Sequence, residues 1–147
     1  DYRWNRASVA EDMDGLYDFL FVRTDEEVNT TVEMPLAPYI IDLDPVDVVY
    51  DGEPLTIYWD ADFPGDDVDI HVDGTCIDSL SAIAVPDDGE YTFDSVLLSV
   101  DALENTCTLE IRVVRVVEGF VNSAYQGGYT EANRIEMDTI PFEGDII

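Results

Sequence analysis

An all-β sandwich with an N-terminal extension is the fold class this sequence predicts, and three observations carry it. Strand-like runs recur about every 8 to 12 residues, with Gly, Pro and Asp turns between them. No segment shows the 3.6-residue period of a long amphipathic helix. One stretch, residues 107–119, reads as a single long strand. In it Leu109, Ile111 and Val113 alternate with Thr108, Glu110 and Arg112, the two-residue period of a strand with one face in a core and one in water. We expect it to be the central strand. Past Val113 the apolar set shifts to Val114 and Val116, which predicts either a bulge or burial of both faces.

The other elements follow in order. Residues 1–10 hold two of the six arginines and one acid, Asp1, so residues 1–15 form an arm ahead of one sandwich domain over 16–147. Aromatic and aliphatic residues over 16–22 predict a strand. After an acidic turn, a shorter strand over 28–34 places Val28, Thr30 and Val32 on one face until Pro35 and Pro38 break it. A short strand over 39–43 leads to turns at Asp44-Pro45 and Asp51-Gly52. Leu55, Ile57 and Trp59 share a face of the next strand, and Val68, Ile70 and Val72 a face of the one after it. The turn between them makes either a hairpin or a sandwich corner.

Residues 76–86 leave a short helix and an irregular edge strand both open, because Ile77, Leu80 and Ile83 fall at roughly helical spacing before Ala84 and Val85. Asp87, Asp88 and Gly89 turn the chain into a strand with Tyr91 and Phe93. Residues 96–103 should pack beneath the crossover to Cys107. A loop over 118–133 precedes the last strand, 134–140.

Of 147 residues 46% are apolar, ample for one core. The charge is the outlier: 34 acids against 6 arginines give −28, where small domains carry roughly 2 to 8. A polyanion of this density argues against nucleic acid as a partner and against anionic membrane surfaces. No apolar run reaches the roughly 18 residues of a membrane helix, so membrane insertion is not expected. Self-repulsion eases as the screening length falls from about 10 Å at 0.1 M salt to about 3 Å at 1 M. A saline or divalent-rich setting accounts for the composition, and so does simple solubility of a secreted chain.

Two cysteines in a strand-rich chain, without the His or Cys neighbours a metal site needs, predict a Cys76–Cys107 disulfide. In the chain-entropy model that loop contributes roughly 3.5 to 4 kcal/mol. The compartment is then oxidising: periplasm, cell surface or medium.

Pro54 to Trp59, a short turn, and Val68 to Val72 resemble the B and C strands of fibronectin type III and related immunoglobulin-like domains, and 108–119 looks like their F strand with its closing glycine, Gly119. The antibody pattern does not fit, since Trp59 precedes Cys76 rather than following a first cysteine. Over residues 16–142 a nearer likeness appears. Pro35 to Pro38, the Trp59 strand, Asp88-Gly89 before Tyr91 and Phe93, Cys107 before its strand, and Gly127-Gly128 resemble acidic secreted proteins and predicted lipoproteins of myxobacteria and relatives. That resemblance implies location and fold and carries over no catalytic residue. Asp1 stands where a lipoprotein would carry its lipidated cysteine, so no lipid anchor is expected.

Candidate sites are few. His71 alternates with Ile70 and Val72, which turns it to a solvated face. No nucleophile elbow or phosphate loop is present, so the chain reads as non-enzymatic. Hard cations take carboxylate and carbonyl oxygens from turns; for calcium the densest group is Asp60, Asp62, Asp66, Asp67 and Asp69, with Asp42, Asp44 and Asp47 second. Neither follows the EF-hand spacing. Asn29 heads a glycosylation-type triplet with Thr31. The loop holding Phe120, Tyr125 and Tyr129 either tucks into the sandwich end or faces a partner. In the arm, Tyr2 and Trp4 share one face of an extended segment, Arg3 takes the other, and Arg6 follows. These features predict a self-associating extracellular subunit of a surface filament or layer, whose arm docks on a neighbouring copy. The rival reading is a soluble or wall-associated module binding calcium or glycan.

Overall fold

The computed structural model describes residues 16–23, 26–33, 37–44, 47–61, 67–119 and 131–144. All ten elements among them are strands: β1 (Leu16–Arg23), β2 (Glu26–Glu33), β3 (Ile40–Asp44), β4 (Val49–Tyr50), β5 (Leu55–Trp59), β6 (Asp67–Asp73), β7 (Leu80–Pro86), β8 (Glu90–Phe93), β9 (Thr106–Glu118) and β10 (Glu131–Glu143). A five-stranded sheet, β4-β10-β9-β6-β7, and a three-stranded sheet, β3-β5-β8, share one core, while β1 and β2 pair with each other. The fold is all-β, of the sandwich class. The arm with Tyr2, Arg3, Trp4 and Arg6, the loop with Phe120, Tyr125 and Tyr129, and the acids Asp62 and Asp66 lie outside the described residues.

Period-two patterning builds the core. Leu55, Ile57 and Trp59 of β5 are buried, with Thr56 and Tyr58 between them less so. They meet Val68, Ile70 and Val72 of β6, Leu109, Ile111 and Val113 of β9, and Ile140 and Phe142 of β10. Each such side chain stabilises the fold by about 1.5–3 kcal/mol when fully buried. Because β5 and β6 belong to different sheets, the connection between them is a corner and not a hairpin.

β9 is the middle strand of the five-stranded sheet. Neither the bulge nor the two-faced burial expected after Val113 occurs. The ladders to β6 and β10 run through without a shift, and the next inward position is filled by Arg115, 1% exposed. The alternation continues, with a cation in place of an aliphatic.

Residues 80–86 form the edge strand β7, not a helix. The register to β6 slips by one residue where Ile83 and Ala84 together oppose Asp69, and Ala84 takes a left-handed φ of 54°. Asp69 Oδ1 accepts the Ala84 N–H at 2.8 Å, so the bulge is pinned from the neighbouring strand. The slip sets the inward residues Ala82 and Val85 three apart, whereas Ile83, at the bulge itself, is exposed. Packing over 96–103 is thinner than expected: Val96 is buried and Leu98 and Ala102 reach the core, whereas Leu97, Val100 and Leu103 are exposed.

The Cys76–Cys107 disulfide is present, with Cα atoms 5.8 Å apart. Cys76 sits in the turn after β6 and not on a strand, so the bridge ties that turn to the start of β9. The turn passes close: a Cβ on Gly74 would lie 2.7 Å from Leu109 Cδ2 and 3.2 Å from Cys107 Sγ.

Candidate functional site

The densest polar structure lies inside the sandwich. Strand parity turns Arg115 inward, where its side chain and that of Asp87, in the β7–β8 connection, are each 1% exposed. Arg115 Nε donates to Asp87 Oδ2 at 2.6 Å, and Nη2 to Oδ1 at 3.1 Å. This is the two-pronged geometry that makes guanidinium–carboxylate pairs strong. Trp59 Nε1 donates to Asp87 Oδ1 at 2.8 Å. Arg115 also reaches backbone carbonyls, that of Ala37 at 3.5 Å and that of Asp60 at the end of β5. One cation therefore joins β9, the end of β5, the β7–β8 turn and the segment before β3. Such a group staples two sheets; its carboxylate is occupied by donors from its own chain.

Above this staple opens a cleft of about 780 Å³, with Tyr39, Ile41 and Tyr58 on its walls and Asp60, Asp88 and Glu90 around them. Backbone bonds fix it: Trp59 N donates to Gly89 O at 3.0 Å and Asp60 N to Tyr39 O at 2.8 Å. Gly89, at φ 96°, makes the turn that other residues rarely adopt. Tyr39 and Ile41 are 57% and 70% exposed, so apolar surface and carboxylates sit side by side, a lining suited to sugar rings or organic cations.

Of the five leading calcium candidates, Asp60, Asp67 and Asp69 are described. Asp60 is at the end of β5 beside the cleft, Asp67 and Asp69 are on β6, and Asp69 is engaged with Ala84. Among the described residues no group of three or more possible metal ligands gathers. Asp42 caps its neighbour's Leu43 N–H at 2.8 Å, and Asp44 and Asp47 are exposed. Asn29 lies on β2. His71 is half-buried, less solvated than its alternation implied, across the ladder from Arg112 and Ser81.

Beside His71, Arg112 Nη2 donates to Asp73 Oδ2 at 2.8 Å. The Ser79 hydroxyl first, and the Arg112 guanidinium with it, hold the Asp73 carboxyl below its ordinary 3.8. A carboxyl lowered by folding contributes stability that is complete above the unfolded value and is lost as pH falls through the folded one. An NMR titration should place the Asp73 midpoint below 3.8, and Arg112→Gln should move it up; a midpoint unmoved by that change would remove the guanidinium from the account.

Sequence reasoning missed the staple. Asp87 read as a turn acid, and reading the apolar set as shifting after Val113 passed over Arg115, although counting parity from Leu109 would have placed it in the core. Comparison with family models, with curated proteins and with solved structures returned no match.

Proposed function

We propose that this is a non-enzymatic, secreted structural protein that self-associates into a filament or layer, its N-terminal arm docking on a neighbouring copy. One observation carries the reading. On the outer face of the five-stranded sheet, Ile135 and Met137 are 54% and 53% exposed beside the half-buried Val114 and Val116. On a chain of net charge −28 an apolar patch of this kind marks a contact surface. The disulfide fits an oxidising compartment, extracellular or periplasmic. An immunoglobulin- or fibronectin-III-like sandwich is part of the proposal, supported by β9 lying between β6 and β10 and by β5 lying between β3 and β8.

The test is assembly of the full chain, followed by sedimentation velocity and electron microscopy at high salt. Wild type should form large regular particles. Removing residues 1–10 should leave a folded, disulfide-bonded monomer. A wild type that stays monomeric at every salt and concentration would defeat the reading. The second reading, a glycan- or calcium-binding module of soluble or wall-associated kind, draws on the Tyr39–Tyr58 cleft and its acids, and a monomeric wild type would bring it forward.

A further inference from the structure

We infer that the arm's acceptor is the outer edge of β10, where it adds as an antiparallel strand with Trp4 opposite Ile135; this rests on the self-association proposed above. In the two sheets that share the core, the other edges are blunted. β7 is bulged at Ala84 and ends in Pro86. β3 has five residues and a register break, and its Leu43 N–H is capped by Asp42. β8 has four residues. Bulges, short strands and capped donors are the usual means of closing an edge to foreign strands.

β10 is different. Its 13 residues pair with β9 without a slip, and β4 covers only Phe142 and Glu143 on the other side. Glu143 O accepts from Asp51 N at 3.0 Å, and Thr139 N–H is capped by Asp138 Oδ1 at 2.8 Å. Antiparallel alternation then turns the backbone groups of Asn133, Ile135 and Met137 away from β9 as well. No described residue takes them in a ladder. Pro141, which has no N–H to lose, falls at an outward position of the same series.

Charge and side-chain phase select the occupant. Ile135 and Met137 project to the outer face with Val114, whereas Glu136 and Asp138 belong to the opposite face with Ile140. An extended arm presents Tyr2, Trp4 and Arg6 on one side and Arg3 on the other. Run antiparallel with Trp4 at Ile135, Tyr2 lies at Met137 and Arg6 at Asn133, diagonal to Glu131. Arg3 then lies at Glu136, diagonal to Asp138. Aromatics meet aliphatics and both arginines meet acids, against one unfavourable pair, Asp1 at Asp138. The reverse direction would bring Arg6 to Met137. A second β10 in place of the arm would set these acids against their own copies, which is unfavourable.

Sedimentation of the full chain tests this. Met137→Pro removes an outward N–H while sparing the ladder to β9. Ile135→Asp with Met137→Asp is a second variant that keeps every backbone group. Each should weaken assembly by about tenfold to a hundredfold, while Ile83→Asp on the β7 edge should not. Mixing Tyr2→Cys chains with Met137→Cys chains should give an intermolecular disulfide. If deleting the arm abolishes assembly but the β10 variants assemble normally or the mixture fails to cross-link, this inference falls and self-association through the arm stands. If the chain assembles without its arm, both fall.

Discussion

Replacing Arg115 with Met is expected to lower the unfolding free energy by about 3–5 kcal/mol, the cost of leaving a buried charge without its partner. At this chain length that corresponds to roughly 10 °C or more in melting temperature. Among the described residues Asp87 would keep the Trp59 indole as a neutral donor, and the carbonyls of Ala37 and Asp60 would lose the guanidinium. Asp87→Asn should cost a similar amount by the opposite route, since it retains an acceptor for Trp59 and strands the guanidinium. Removing both charges, with Arg115→Met and Asp87→Leu, should recover part of the loss, because apolar replacements of a buried pair are often tolerated. Recovery should stop short by about 1–3 kcal/mol, the cost of an unpartnered buried indole N–H. Urea unfolding of the four proteins measures these differences. Single variants within about 1 kcal/mol of wild type would mean that water reaches the pair.

The staple also shows where the sequence stopped being legible. Leu55 to Trp59, Val68 to Val72 and Leu109 to Val113 were readable as strands because each keeps one phase without interruption, and burial follows that phase. Arg115 keeps the same phase, but a charged residue at an inward position looks like the end of the pattern. Its partner Asp87 lies in a turn with nothing local to mark it. β7 was ambiguous for a different reason: Ile77 precedes the strand and Ile83 stands exposed at its bulge, so their three-residue spacing with Leu80 marks no common face. Residues 96–103 are apolar without a period, and composition alone could not tell Val96, which is buried, from Val100 and Leu103, which are exposed. The cleft was invisible because Tyr39, Tyr58 and Asp88 come together only through the β3-β5-β8 sheet and the turn at Gly89. Of the five acids expected to hold calcium, Asp60, Asp67 and Asp69 are described, and they serve two strands and different neighbours.

Reducing the Cys76–Cys107 bond should lower stability by about 2–5 kcal/mol. The bond closes a loop of sequence separation 31, and breaking it lets the unfolded chain regain the conformations that closure removes. Its location adds a folded-state consequence. Cys76, 1% exposed, anchors the 94–105 crossover as well as β9, because Ser99 N donates to Cys76 O at 2.9 Å and Ile77 bridges to Leu98. That crossover is held at two places, by the turn after β6 and by the β4–β5 turn, where Val96 N donates to Glu53 O and Leu98 N to Asp51 Oδ1, each at 2.8 Å. The reduced protein should therefore melt lower and also show faster amide exchange at Ser99, while Leu98, whose N–H is held by Asp51, exchanges less affected and Ile111 and Val113 in the middle of β9 stay protected until global unfolding. Intact mass confirms the starting state, two hydrogens lighter than the reduced chain. If oxidised and reduced proteins melt together, the crossover is held by its hydrogen bonds and its core side chains and the bond contributes little. If exchange accelerates uniformly, its effect lies wholly in the unfolded chain, with no separate role in clamping the crossover to the turn.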